Sequence, residues 1–142
     1  MLMGWMSLLC GLIWGWISDV IGRKATLVIV YLIHALAFGL FALWPSPPGF
    51  TLSAILFGLS AWSIPAIMAA MCGDLLGPRL SPAGLGFVTL FFGIGQAAAP
   101  SAAGALADAF GSLSPAMLLA AGVALLGAVG TLLLRTGRKP VH

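Results

Sequence analysis

The chain has 142 residues, 61% of them hydrophobic and only 6% charged, with a net charge of +3 and a mean hydropathy of +1.15. A water-soluble domain carries about 25% charged residues, so this composition argues against a soluble globular fold and for lipid as the solvent of most of the surface. The cations are divided among three short loops without a basic stripe or stacking platform, which argues against nucleic acid and for the lipid bilayer as the partner.

An apolar helix of about 20 residues crosses a hydrocarbon layer of roughly 30 Å. Five segments meet that requirement: Leu2 to Ser18, Ala25 to Trp44, Phe50 to Gly73, Ala83 to Asp108, and Pro115 to Leu134. The expected fold class is therefore all-α and polytopic, with neighbouring spans antiparallel because their connections are short. Arg23 and Lys24 follow the first span, Arg79 the third, and Arg135, Arg138 and Lys139 the fifth, whereas the gaps at 45–49 and 111–114 hold no Lys or Arg. Cationic loops stay on the cytoplasmic face. This predicts an outside amino terminus and a cytoplasmic carboxyl terminus. No secretory signal pattern opens the chain, since no cation precedes the first apolar run.

The first span holds Cys10, expected to be a buried inert thiol like Cys72. Trp5, Trp14, Trp16 and Trp44 lie near span ends and read as interfacial anchors. The turn that follows is the most specific segment: Gly11 and Gly15 offer a face for close helix approach, and Gly22 permits the positive φ of a tight reversal. Asp19 sits at a helix carboxyl end, where the macrodipole repels an anion. It needs a partner, and Arg23, Lys24 or the free amides near Ser81-Pro82-Ala83 can supply one.

The spacing Gly15, Asp19, Gly22, Arg23, Lys24 and Leu27 between two membrane helices resembles the signature loop of the major facilitator superfamily, a large class of secondary transporters. Val20 departs from the Arg of the fuller motif, which suits the degenerate second copy in the carboxyl-terminal half. The resemblance implies a cytoplasmic gating latch in which Asp19 braces the start of the fourth span.

In the second span, His34 is a membrane-embedded ionisable group for which proton relay is a candidate role. A neutral His bonded to a neighbouring helix is the simpler reading, and Tyr31 is read the same way. Pro65 and Pro100 interrupt the third and fourth spans, each removing a backbone hydrogen bond. The carbonyls expected to be released are those of Ala61 and Gln96. Ser60, Trp62 and Ser63 around the first kink, and Gln96 near the second, are the candidate substrate-binding residues, because polar groups at mid-depth are tolerated where they line a cavity. The fourth span is dense in Ala and Gly from Gly93 to Asp108 and is expected to be central, whereas the Leu-rich fifth should face lipid.

The run Gly93-Ile94-Gly95-Gln96, Pro100, Ala103-Gly104 and Leu106-Ala107-Asp108 also resembles the eleventh helix of bacterial transporters of that superfamily. With Phe57-Gly58-Leu59-Ser60 and Ile64-Pro65-Ala66 it looks similar to a YbfB/YjiJ-like branch. Aligned so, the five spans are helices eight to twelve, most of the carboxyl-terminal six-helix bundle of a twelve-helix protein. The resemblance implies a transporter of a small-molecule substrate in a bacterial inner membrane, with the missing amino-terminal half as partner and no flux from this chain alone. Neither hydrolase, phosphate-binding nor metalloprotease motifs occur, so no enzyme activity, cofactor or metal is expected. The other reading of the residues is a small autonomous membrane scaffold or partner subunit. Asp74 and Arg79 bracket the third loop, and could pair with each other or with Arg23 and Asp19. Asp108 reads as a solvated helix-end carboxylate.

Overall fold

The computed structural model describes residues 2–134, with side chains from Cys10 onward. The cations at Arg135, Arg138 and Lys139 and the side chain of Trp5 lie outside that description. Five helices follow one another: α1 (Leu2–Ile21), α2 (Arg23–Leu43), α3 (Pro47–Ser60), α4 (Ser63–Phe110) and α5 (Ser114–Leu133). Three stretches, Arg23–Leu43, Pro47–Phe110 and Ser114–Leu133, are long and apolar enough to cross a membrane.

Each turn has a local cause. Gly22 takes φ +96° between α1 and α2, and its carbonyl accepts from both the amide and the hydroxyl of Thr26. Ser46 caps α3 by accepting from the Gly49 amide, with Pro47 in the first turn, where its missing N–H costs nothing. A Cβ on Gly49 would collide with the Trp44 carbonyl oxygen, so the residue must be small there. Gly111 closes α4 in the left-handed region at φ +67°, and Pro115 opens α5.

The span at 50–73 has a different anatomy from the one expected. The third is two pieces, α3 and the first arm of α4, which meet at a break over Ala61 and Trp62. The released carbonyls that find side-chain donors are those of Leu59 and Ser60, two and one residues before the expected Ala61. The reason is steric: a proline ring clashes with the carbonyl four residues back and disfavours helix at the preceding residue. By breaking upstream, the chain leaves Pro65 in the first turn of a new helix. Helix α4 then turns at Gly77, where φ is +73° and ψ 172°, with Pro78 next. Its two arms fold back on each other, so that a Cβ on Gly84 would meet the side chain of Leu76 and one on Gly73 would touch Ser81.

The core lies where α1, α2 and the first arm of α4 meet. Leu27, Val30, Ile67 and Met71 are buried there, with Trp14, Tyr31, Ile64 and Met68 packed around them. Helix α5 lies along α2 through its small face: Ala116, Ala124, Ala128 and Thr131 are buried, and the Tyr31 ring sits over Gly127. Leu118, Leu119, Leu125, Leu126 and Leu132 to Leu134 point outward, as a lipid-facing surface would.

The fourth span is not central among the described residues. Every residue from Thr89 to Ala102 is exposed, on all sides of the helix. The place along α2 is taken by α5, whose buried Ala116, Ala124 and Ala128 allow close approach of the two helices. The second arm of α4 is left with partners along one edge only.

Candidate functional site

Two regions carry the polar chemistry. The first is a charge cluster at the α1–α2 turn. Asp19, at the end of α1, is held by Arg23 Nη1 at 2.6 Å, and Arg23 Nε reaches across to Asp74 Oδ2 at 3.0 Å. Arg23 Nη1 also donates to Ser18 Oγ at 2.5 Å, while the Ser18 hydroxyl donates to the Gly15 carbonyl at 2.7 Å. One guanidinium thus ties the turn to the end of the third span near Asp74, a geometry that a forked, planar donor allows. Arg23 occupies Asp19, in place of the amides at 81–83, and Arg79 takes part in neither ion pair formed among the described residues.

Lys24 has a role that the sequence did not suggest. Its Nζ donates to the Leu134 carbonyl at 2.7 Å, closing the carboxyl end of α5 with a cation where the helix dipole favours one. Spacing along the chain carries no signal for this contact, since the partners are 110 residues apart. Through Arg23 and Lys24 the turn thus reaches the end of α1, the first arm of α4 at Asp74 and the end of α5.

The second region is at mid-depth. An apolar cavity of about 670 Å³ opens between α2, the second arm of α4 and α5. Gln96 and Pro100 line it from α4, and Tyr31 and His34 from α2. His34 Nδ1 lies 2.9 Å from the Val30 carbonyl, which can only accept, so Nδ1 carries a proton. Ser60 Oγ is 3.5 Å from the same nitrogen, and the Phe57 ring meets the imidazole edge-on at 5.3 Å. His34 is thus bonded first to its own helix and only weakly to its neighbour.

The other candidate residues lie elsewhere. Ser60 and Ser63 are fully buried and serve the break: Ser60 Oγ donates to the Leu56 carbonyl at 2.8 Å, and Ser63 Oγ to the Ser60 carbonyl at 2.6 Å. Trp62 is 61% exposed and lines no part of the cavity. Of the four candidate binding residues, Gln96 alone faces that space. Trp14 is not an interfacial anchor either, because its indole donates to the Leu59 carbonyl at 2.7 Å and its ring packs on the core. Cys10 is buried beside it and Cys72 half-buried, both free thiols.

Among the described residues no cluster of His, Cys, Asp or Glu could hold a metal ion. Neither a curated protein nor a solved structure matches the chain. The family model of the Major Facilitator Superfamily matches residues 1–142, and together with the apolar helices this places the chain in that superfamily of membrane transporters.

Proposed function

We propose that the chain is the carboxyl-terminal part of a secondary transporter that moves small solutes by alternating access, its helices standing as the eighth to twelfth of twelve. The observation that carries this reading is the bare second arm of α4. From Thr89 to Ala102 it is exposed on every side, Gln96 and Pro100 included. A primary amide and freed backbone facing hydrocarbon are costly, and are tolerated where protein or a wet cavity covers them. The cover would come from the amino-terminal half, against which this arm would slide as the two halves rock around a midplane site.

In this reading Gln96 contacts solute from α4, with Trp62, Ser60 and Ser63 shaping the broken span opposite. Gly15, Asp19, Gly22, Arg23 and Lys24 form a cytoplasmic latch, and Pro65 and Pro100 set the kinks. The protein lies in a bacterial inner membrane with its amino terminus outside, and the YbfB/YjiJ-like branch is the proposed subgroup. The test is solute uptake by vesicles holding this chain joined to an amino-terminal half. Gln96→Ala is expected to raise KM by about tenfold, as for a lost buried hydrogen bond, whereas Trp62→Ala, outside the cavity, should leave KM unchanged. Unchanged KM in Gln96→Ala removes the site. The chain alone should give no flux above empty vesicles. A scaffold or partner subunit is the competing reading, since the bare arm of α4 would serve assembly equally. Seven hydrophobic spans encoded in frame upstream would decide against it.

A further inference from the structure

The break in the third span strands backbone groups on both sides of it. The Leu59 carbonyl has lost the amide four residues on, and the amides of Trp62 and Ser63 stand at the start of a new helix with no turn before them. Lipid offers none of these groups a partner. Helix α1 supplies the Leu59 carbonyl with two. Trp14 Nε1 donates to the Leu59 carbonyl at 2.7 Å, and the Cys10 thiol donates to the same oxygen at 2.8 Å. Cys10 and Trp14 are four residues apart, so they stand on one face of α1, stacked along the break.

We infer that Cys10 and Trp14 are positioning residues that latch the bend of the third span, so that α1 sets the angle between α3 and the first arm of α4. The same helix holds that span a second time, at its inner end, where the turn after α1 grips Asp74 through Arg23. Helix α1 cannot shift along the span without opening the mid-depth latch, and a rearrangement of the charge cluster is felt at the bend. This role stands independently of the proposed solute contacts.

The test is hydrogen–deuterium exchange of this chain in lipid nanodiscs. Trp14→Phe keeps an aromatic ring against Leu27, Val30, Ile67 and Met71 but deletes the donor, and Cys10→Ala deletes the thiol. Each is expected to speed exchange at Trp62, Ser63 and Ile64 by about threefold to tenfold, the loss of a hydrogen bond's worth of protection. Exchange in α5 should not change. Cys10→Ser, which keeps a donor and an acceptor in place, should restore most of the protection. On a Cys72→Ser background, Trp14→Phe should also raise the rate at which N-ethylmaleimide reaches Cys10. Wild-type exchange at 62–64 in both deletion variants, or an increase spread equally over α5, would overturn the latch.

Discussion

Replacing Arg23 by Gln removes two ion pairs at once, and their geometry sets how much stability should go with them. The separations are 2.6 Å to Asp19 and 3.0 Å to Asp74, with the arginine side chain 24% exposed and the carboxylates 61% and 59%. At 3 Å two unit charges attract by roughly 1.4 kcal/mol in water and roughly 5.5 kcal/mol at an effective dielectric constant of 20. Both carboxylates are more than half exposed, so the watery limit governs, and rotamer ordering reduces it further to the 0.2 to 1 kcal/mol range typical of exposed pairs. The cross-helix pair Arg23–Asp74 should therefore couple by about 0.5 to 1 kcal/mol and the i,i+4 pair Asp19–Arg23 by about 0.3 to 0.5 kcal/mol. Equilibrium unfolding in mixed detergent micelles, followed by circular dichroism on single and double variants, measures both terms as double-mutant cycles. Arg23→Gln is expected to cost about 0.8 to 1.5 kcal/mol, and Arg23→Lys roughly half of that, because an ammonium cannot fork between two acids. Raising salt should shrink both couplings as the Debye length falls from about 10 Å at 0.1 M to about 3 Å at 1 M. A cross-helix coupling below about 0.2 kcal/mol at low salt, or above about 3 kcal/mol, would refute the argument. The first result would mean that Arg23 does not bridge the helices, the second that water is excluded from the cluster.

Two further perturbations probe the packing of α5. Gly127→Leu places a branched side chain where the Tyr31 ring already stands 3.0 Å from an added Cβ, and should destabilise the α2–α5 contact by about 1 to 3 kcal/mol in the same unfolding assay; a neutral result would mean that the helices separate freely there. Lys24→Met leaves the Leu134 carbonyl without its cation and should raise amide exchange over 130–134 by about two- to fivefold, in line with a helix-end interaction of roughly 0.5 to 1 kcal/mol. No change in that exchange would show that the contact holds nothing in place.

The turn at Gly22 and the need of Asp19 for a partner were legible in the sequence, because each depends on residues a few positions apart. A glycine between two apolar runs has one local use, and an acid at a helix end has few partners within reach. The kinship was legible for the same reason, since the motif around Asp19 is a local string. Gln96 and Pro100 were singled out as membrane-depth polarity and do line the cavity. Trp62, Ser60 and Ser63 were chosen by the same criterion, yet they do not line it. Their depth in the span is a property of the sequence, but the direction each faces depends on where the helix breaks.

Composition and the order of apolar runs by themselves determined an all-helical membrane protein with reversals near Gly22, Pro45 and Gly111, because helix formation in lipid is forced by local hydrogen bonding and needs no distant partner. Distant partners decided the rest. Nothing along the chain joins Lys24 to Leu134, Arg23 to Asp74, or Trp14 and Cys10 to Leu59, contacts that span 110, 51, and 45 and 49 residues. Nor could the pattern of small residues say whether α4 or α5 would lie against α2, since both present alanine faces of similar kind. That choice rests on which pair of faces fits more closely, and closeness of fit exists only between helices already brought together in space.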